Sequence, residues 1–333
     1  MPRWLWGGLL VVCLAVAACL SGPLFPFTPR PSVVADMVAK APDLDVYLRH
    51  REALHAVIKP GLAKTILWSD PATRSKTPLS LVYLHGFSAS RKDITPVVET
   101  LAGTLAANVF LTRLAAHGRA TPNEFATVSP QDWLDDAREA LAIGRRIGDR
   151  VILIGTSTGA LLATMAALED KSLDIAALVL LSPNFAIRDR RATFMSGPLG
   201  RLPARIVIGR NYSFQPDSLG HADFWTTQYP SQAIVALMDL VNHARSIHLG
   251  GLTVPTLIIF TDKDTVVDTA AIRDRFDEIG SPTKLIVDLP EATRHELTGD
   301  ALAPQTVRPV LERITAFLSD NGLAKPVGTQ GGR

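Results

Sequence analysis

The chain has 333 residues, 47 % of them apolar and 20 % charged, and its formal net charge at pH 7 is +2. This composition supplies enough apolar side chains for a substantial core, which excludes an intrinsically disordered protein. No long basic run is present, so the sequence predicts no nucleic-acid partner.

The N-terminal segment differs from the rest of the chain. Arg3 is the only charged residue before Arg30, and residues 4–19 form an apolar run. This length is typical of a signal peptide and marginal for a membrane-spanning helix. The sequence VAAC at residues 16–19 resembles the bacterial lipobox. The resemblance implies cleavage before Cys19 and attachment of a diacylglycerol to its sulfur.

We therefore expect a lipoprotein-type signal peptide over residues 1–18 and a mature chain held at a membrane by lipid on Cys19. This predicts an exported protein of the bacterial cell envelope, facing the periplasm or the exterior. An ordinary signal peptide cut near Ala18 and an uncleaved anchor are the alternatives, and both also export the chain. The only cysteines, Cys13 and Cys19, lie in this segment, so no disulfide or thiolate metal site is predicted in the folded part.

Composition also divides the remaining chain. Residues 19–55 are assigned to a tether and N-terminal segment, because residues 21–33 are rich in proline. Residues 56–320 are assigned to one α/β domain. The polar, Gly-rich residues 321–333 are assigned to a flexible tail.

Short apolar runs alternate with helical patterns along this domain. Runs without polar alternation are typical of parallel strands that are buried on both faces. The predicted strands span residues 79–84, 107–114, 150–155, 176–182, 255–260 and 283–289.

Helix signals lie between these strands. Thr95-Pro96 is interpreted as an N-cap followed by a proline at the first helical position. Ser129 and Asp132 predict a capping box, and Asn321-Gly322 predicts the end of the last helix. The alternation predicts βαβ units, with helices on both faces of a mostly parallel central sheet.

Residues from about 188 to 250 interrupt this alternation. They contain no convincing core strand, and they include an amphipathic helix with Ile234, Leu237, Met238 and Val241 on one face. We interpret this stretch as a cap insertion over the end of the sheet.

The central motif is GTSTG at residues 155–159, which fits the pattern GxSxG. It follows a predicted strand and precedes a strong helix former, which is the context of a nucleophile elbow. The flanking glycines avoid clashes at the sharp turn, and the helix N-terminus points free N–H groups at the site. Ser157 is therefore the candidate nucleophile. A serine at its free pKa needs a base, and the base needs a group that orients it.

Two later loops carry candidates for that base and orienting group. His295 follows the last predicted strand and is the only histidine after His248. Asp262, Asp264 and Asp268 all follow the preceding strand. Open α/β sheets bind ligands beyond the carboxyl ends of their strands, where these loops begin.

The segments HGF (85–87), AAHG (115–118), GTSTG (155–159), DKDTVV (262–267) and the loop of His295 together resemble a known family. From about residue 79 to 300 the chain is similar to the monoacylglycerol lipase and carboxylesterase branch of the α/β hydrolases, which is also classified with serine aminopeptidase-like hydrolases. The resemblance implies an α/β-hydrolase fold with a cap. It also implies carboxylic ester hydrolysis through an acyl-enzyme, without a cofactor.

The resemblance further selects one of the three aspartates. In the family pattern the acid stands two residues before a Val-Val pair, which is the position of Asp264. Asp268 is then expected to cap the next helix, and Asp262 to be solvated. The expected catalytic triad is Ser157, Asp264 and His295.

The expected oxyanion donors are backbone N–H groups. One belongs to Thr158, after the nucleophile, and the other to Phe87, in the loop after an earlier strand. His85 and His117 are interpreted as structural. The remaining histidines have no metal-ligand spacing, so no metal is predicted; they are His50, His55, His221, His243 and His248.

The expected substrate is a small-molecule or lipid-like ester, such as a monoacylglycerol, a lysophospholipid or a short-chain acyl ester. A peptidase or amidase using the same triad is an alternative, which an acid in the pocket, from Asp217, Asp223 or Asp239, would favour. A catalytically inactive fold that serves as an envelope binding protein is another, although no triad member is missing. A C–C hydrolase or perhydrolase shares the triad and also stays open.

Five side chains have two interpretations. Phe224, Trp225 and Tyr229 of the insertion either line an acyl pocket or pack the cap onto the domain. Phe87 and Met238 carry the same two alternatives.

Overall fold

The computed structural model describes residues 26–55, 57–170 and 172–324. The predicted signal peptide, Cys19 and most of the predicted tail lie outside these ranges. No helix within them is long and apolar enough to cross a membrane.

The helices, in chain order, are α1 Val34–Lys40, α2 Leu44–Ala53, α3 Val97–Leu105, α4 Pro130–Ile147, α5 Thr158–Glu169, α6 Gly197–Val207, α7 Leu219–Phe224, α8 Gln232–Ser246, α9 Thr269–Glu278 and α10 Val307–Asp320. The strands are β1 Thr65–Leu67, β2 Thr77–Leu84, β3 Asn108–Leu111, β4 Gly148–Thr156, β5 Ile175–Leu181, β6 Asn211–Ser213, β7 Gln228–Pro230, β8 Thr256–Phe260 and β9 Lys284–Asp288.

The main sheet has seven strands in the order β1-β3-β2-β4-β5-β8-β9. Neighbouring strands pair in parallel, except that β1 pairs with β3 in the antiparallel sense. All six predicted strands are present, and β1 is an additional edge strand. The predicted α/β-hydrolase fold, with a mostly parallel sheet, is confirmed.

The sheet separates two apolar layers, because successive side chains of a strand point to opposite faces. Along β2, Val82 and Leu84 join one layer, whereas Leu81 and Tyr83 join the other. Helices α1, α2, α4, α5, α8 and α9 contribute to the first layer. Helices α3 and α10 contribute to the second. Burial on both faces explains why the central strands have continuous apolar sequences.

Helices α1 and α2 lie in the range assigned to the tether and N-terminal segment, and they pack onto the domain. Val38, Leu44 and Leu48 are buried in the first apolar layer. The side chain of Asp43 accepts a hydrogen bond from the Val46 N–H and caps α2. The N-terminal segment therefore contributes to the core from residue 34 onwards.

The predicted helix ends are mostly correct. Ser129 N–H donates to Asp132 Oδ2 at 2.9 Å at the start of α4, and Asn321 terminates α10. The start of α3 was predicted wrongly by one residue. Pro96 occupies the N-cap position and the helix begins at Val97, while the Thr95 hydroxyl donates to Glu99 Oε1 instead of capping the backbone.

The chain between β5 and β8 contains no strand of the main sheet. It holds a 3₁₀ turn over Arg190–Phe194, the antiparallel pair β6–β7, and helices α6, α7 and α8. Helix α6 packs against α8, and α8 buries Leu237 and Val241 in the first apolar layer. We call the elements from residue 188 to residue 250 the cap.

Candidate active site

Four loops meet at the carboxyl edge of the sheet. Ser157 follows β4, Asp264 follows β8, His295 follows β9, and Phe87 follows β2. Parallel strands end at the same edge, so residues far apart in the sequence become neighbours here. The three predicted triad side chains are brought together at this edge.

Ser157 sits on a tight turn between β4 and α5. Its φ is 53° and its ψ is −114°, a conformation that L-residues rarely adopt. A Cβ on Gly159 would lie 2.0 Å from the Leu84 carbonyl oxygen, so only glycine fits there. The Ser157 N–H donates to the Leu181 carbonyl oxygen at 2.8 Å, which ties the turn to β5.

The side chains of Ser157, His295 and Asp264 form a continuous hydrogen-bonded chain. Ser157 Oγ lies 2.9 Å from His295 Nε2, and His295 Nδ1 lies 2.6 Å from Asp264 Oδ2. Asp264 is fully buried, while Ser157 and His295 each keep 8 % of their surface exposed. This geometry lets the imidazole take a proton from the serine while the carboxylate fixes the ring.

The pKa values of His295 and Asp264 shift in opposite directions. Burial lowers the pKa of His295, but its hydrogen bond to Asp264 and the charge of that carboxylate outweigh burial and raise the pKa above 6.5. Burial raises the pKa of Asp264, but the bond to His295 and the N–H groups of Val266 and Val267 outweigh burial and lower it. Asp264 therefore stays ionised beside the imidazole.

The competing aspartates have other partners. Asp268 accepts hydrogen bonds from the N–H groups of Ala270 and Ala271 and caps α9, as expected. Asp262 is exposed and pairs with Arg273 at 2.8 Å. Only Asp264 of the three contacts His295.

The two residues predicted to supply oxyanion donors both lie at the pocket. Thr158 is the first residue of α5, so its N–H has no partner within the helix. Phe87 lies in the loop between β2 and α3. Both residues line the pocket that contains Ser157.

The neighbouring histidines hold the loops in place. Leu114 N–H donates to His85 Nε2 at 3.0 Å, and Ser88 N–H donates to His117 Nε2 at 3.0 Å. Burial lowers the pKa of His85 to about 4, so this ring is neutral at pH 7. Both rings are buried, and their hydrogen bonds connect the loop after β2 with the loop after β3.

Several residues that support the site were not identified from the sequence. The Ser182 hydroxyl donates to the His295 carbonyl oxygen at 3.0 Å, and Arg188 donates to the Asp264 carbonyl oxygen at 2.6 Å. Asp93 accepts from the Gly86 N–H at 3.2 Å and from the Tyr83 hydroxyl. Ser182 is the last residue of a predicted strand, which is the one signal that would have found any of them.

The site opens into a pocket of about 640 Å³, a size suited to a small organic ligand. Its apolar walls come mainly from the cap and include Ile187, Met195, Trp225, Tyr229, Leu237 and Met238. The Phe87 ring lines the pocket and also packs against Tyr229, with 5.1 Å between ring centroids. Phe224 instead packs beside Trp225, outside the pocket lining.

Charged groups at the pocket are paired. Of the three cap aspartates considered for binding an amine, Asp217 lines the pocket, and Asp223 and Asp239 do not. Arg294 donates to Asp217 at 2.7 Å and to Glu296 at 3.0 Å. Asp217 is therefore ion-paired with the residue that precedes His295.

A comparison with models of known families identifies the family of the chain. The family model described as serine aminopeptidase, S33 matches residues 76–301, which include all three residues of the hydrogen-bonded chain. The chain belongs to this family. It is thus a hydrolase with the α/β-hydrolase fold.

Solved structures share the fold of this family member at low sequence identity. One is a structure described with LipS and LipT, two metagenome-derived lipolytic enzymes. It has TM-score 0.65 and 19 % identity, and the match covers 79 % of this chain and 100 % of that one. A soluble variant of monoglyceride lipase from Saccharomyces cerevisiae, bound to a substrate analog, has TM-score 0.60, 12 % identity and coverage of 80 % and 96 %. The monoacylglycerol lipase of Paleococcus ferrophilus has TM-score 0.56, 17 % identity and coverage of 78 % and 99 %. No curated protein sequence matches the chain.

Proposed function

We propose that this hydrolase cleaves carboxylic esters through an acyl-enzyme, with Ser157 as nucleophile, His295 as base and Asp264 as the orienting acid. The observation that carries the proposal is the unbroken contact from Ser157 Oγ through His295 to Asp264 at the floor of an apolar pocket. The backbone N–H groups of Phe87 and Thr158 are the proposed oxyanion donors.

The proposed reaction has two halves. Ser157 Oγ attacks the ester carbonyl carbon while its proton moves to His295 Nε2, and the tetrahedral oxyanion is held by the two N–H donors. Each such donor commonly contributes about 3 kcal/mol to transition-state stabilisation. The intermediate collapses, and His295 gives its proton to the leaving alcohol. Water then attacks the acyl-enzyme in the same way and releases the acid.

The pocket supports an ester with an apolar acyl group. Its walls include aliphatic and aromatic side chains, among them Ile187, Leu237 and Trp225. Burial of each acyl methylene there contributes about 0.8 kcal/mol. The monoglyceride and monoacylglycerol lipases that share the fold support a lipid-like ester, such as a monoacylglycerol, as the substrate class.

Aminopeptidase activity on the same triad is the second candidate, because the matching family model carries that description. Binding of a free amino group calls for an available carboxylate. Asp217 and Glu296 share the single cation of Arg294, which leaves a weaker site for an ammonium group than an unpaired acid would. We therefore rank ester hydrolysis first.

The test is steady-state kinetics on nitrophenyl esters of increasing chain length beside aminoacyl nitroanilides, using residues 26–333 of the wild type and of Ser157→Ala. We expect turnover of the esters, faster for longer acyl chains until the pocket is filled, and a loss of at least about 10³-fold in the variant. Faster turnover of the anilides would show that the enzyme is a peptidase and not an esterase. Equal turnover by wild type and variant would refute the mechanism.

We also propose that the mature protein begins at Cys19 and is held at the envelope membrane by lipid on that residue. The support is the lipobox-like sequence VAAC at residues 16–19 and the single early charge at Arg3. The test compares full-length wild type with Cys19→Ala and, as control, Cys13→Ala. Intact mass should show the diacylglycerol in wild type and in Cys13→Ala only. An unchanged mass and membrane fraction for Cys19→Ala would refute lipidation.

A further inference from the structure

Asn184 presents an unpaired amide oxygen beside the proposed reacting centre. It lies three residues beyond the end of β5, and its backbone N–H donates to the Ser157 carbonyl oxygen at 3.2 Å. Its side chain is 2 % exposed and lines the pocket. Within the described residues, Asn184 Oδ1 has no hydrogen-bond partner.

The other end of the amide is only weakly engaged. Asn184 Nδ2 lies 3.5 Å from Thr158 Oγ1, at the outer limit of a hydrogen bond. Thr158 is itself 1 % exposed and supplies one proposed oxyanion donor. A hydrogen-bonding amide is thus held next to the site where the ester carbonyl binds.

A buried amide oxygen without a hydrogen-bond partner destabilises a folded protein, and such groups are rare unless they have a use. The same pocket also holds aliphatic side chains, including Ile187, Leu237 and Met238, so a polar residue is not required merely to line it. A substrate that donates a hydrogen bond to Asn184 Oδ1 would remove this destabilisation.

We infer that Asn184 is a specificity-determining residue that binds a hydroxyl group of the substrate close to the scissile ester. A hydroxyl suits the site because it both donates and accepts, so it can pair with Asn184 Oδ1 and with a neighbouring donor. This inference rests on the proposed esterase function and adds the kind of ester that the site prefers.

The hydroxyl can lie on either side of the ester, and matched substrates separate the two. Glycerol monobutyrate is compared with propyl butyrate for the alcohol side. Methyl 3-hydroxybutyrate is compared with methyl butyrate for the acyl side. For each pair the ratio of kcat/KM values, hydroxylated over plain, is measured for wild type and variants, so differences in intrinsic ester reactivity cancel.

The main variant is Asn184→Leu, which keeps the side-chain volume and removes the amide, and Asn184→Ala serves if the leucine does not fit. The control is Asn242→Leu in α8, because Asn242 Nδ2 is also buried and unpaired but does not line the pocket. We expect Asn184→Leu to lower the ratio about 3- to 10-fold for one substrate pair, the contribution of one hydrogen bond. Asn242→Leu should leave both ratios unchanged.

The two failures are distinguishable. If wild type turns over the esters and both ratios survive Asn184→Leu and Asn184→Ala, the role of Asn184 is overturned while the esterase stands. If wild type turns over neither these four esters nor the nitrophenyl esters of longer acyl chains, the proposed function fails, and this inference fails with it.

Discussion

In the proposed mechanism, the reactivity of Ser157 depends on the charge state of a single residue, His295. The imidazole accepts the serine proton only when it is neutral. Because Asp264 holds the His295 pKa above 6.5, ester turnover should fall as the pH drops through that pKa and the ring becomes protonated. The same carboxylate that orients the base thus sets the acid limit of activity.

Asp264→Asn tests both effects at the residue scale. Without the carboxylate, burial dominates and the His295 pKa falls, so the acid limb of kcat/KM should move to lower pH. The rate should also fall by roughly 10³- to 10⁴-fold, because the amide no longer holds the reactive tautomer. The measurement is a pH–rate profile with a nitrophenyl ester.

The matched control is Asp262→Asn, two residues away, exposed and paired with Arg273. It should keep the wild-type profile. An unchanged acid limb in Asp264→Asn, or an equal loss in Asp262→Asn, would contradict the assignment of the acid.

At the scale of elements, the contact between α5 and the end of β2 fixes the elbow. Gly159→Ala would place a Cβ 2.0 Å from the Leu84 carbonyl oxygen, which is rigid backbone. We expect loss of activity and a clear drop in Tm. Gly103→Ala in α3 is the control, because nothing lies within 4 Å of its added Cβ. That change should stabilise the protein by about 0.5–1 kcal/mol. Similar Tm values for the two variants would show that the elbow tolerates a side chain.

The loop after β2 contains a buried acid, Asp93. Burial raises its pKa to about 7, against a reference value of 3.8, despite hydrogen bonds from Tyr83 and Gly86 that lower it. Below pH 3.8 the folded and unfolded states are both protonated, so no penalty arises. Between pH 3.8 and 7 only the unfolded state ionises, so stability falls as pH rises, by roughly 4 kcal/mol at full effect.

Asp93→Asn should therefore flatten the dependence of Tm on pH between 4 and 7. Tyr83→Phe removes a hydrogen bond to the carboxylate, so it should raise the Asp93 pKa and extend the decline in stability to higher pH. Thermal unfolding across this range measures both. The account of Asp93 is wrong if Asp93→Asn keeps the wild-type slope.

At the scale of the whole molecule, the N-terminal helices belong to the domain. Val38, Leu44 and Leu48 are buried against the core, and Arg146 donates to the Val38 carbonyl oxygen at 2.7 Å. Removing residues 1–55 should therefore lower Tm markedly relative to a fragment that begins at residue 26. Equal Tm values for the two fragments would show that α1 and α2 are dispensable.

Much of this molecule could be predicted from its sequence, for identifiable reasons. The parallel strands are continuous apolar runs because both of their faces are buried. Ser157, Asp264 and His295 each lie after such a strand, and the family resemblance selects Asp264 from three aspartates in its loop. Strand β1 was not predicted, because three residues at a sheet edge carry no clear pattern.

Other features depend on contacts that sequence patterns do not encode. Asn184 and Asp93 look like ordinary loop residues, and only their burial and long-range neighbours reveal a role. The pairing of Asp217 with Arg294 joins residues 77 positions apart. No local periodicity predicts such a contact.

The central claim is that Ser157 is an activated nucleophile, and covalent labelling tests it most directly. Residues 26–333 of wild type, Ser157→Ala and Ser88→Ala are treated with a fluorophosphonate and measured by intact and peptide mass. Ser88 is a matched control because it lines the same pocket. We predict one adduct, on Ser157, in wild type and in Ser88→Ala, and none in Ser157→Ala. A folded wild type that takes up no label, or takes it up on another residue, would contradict the claim.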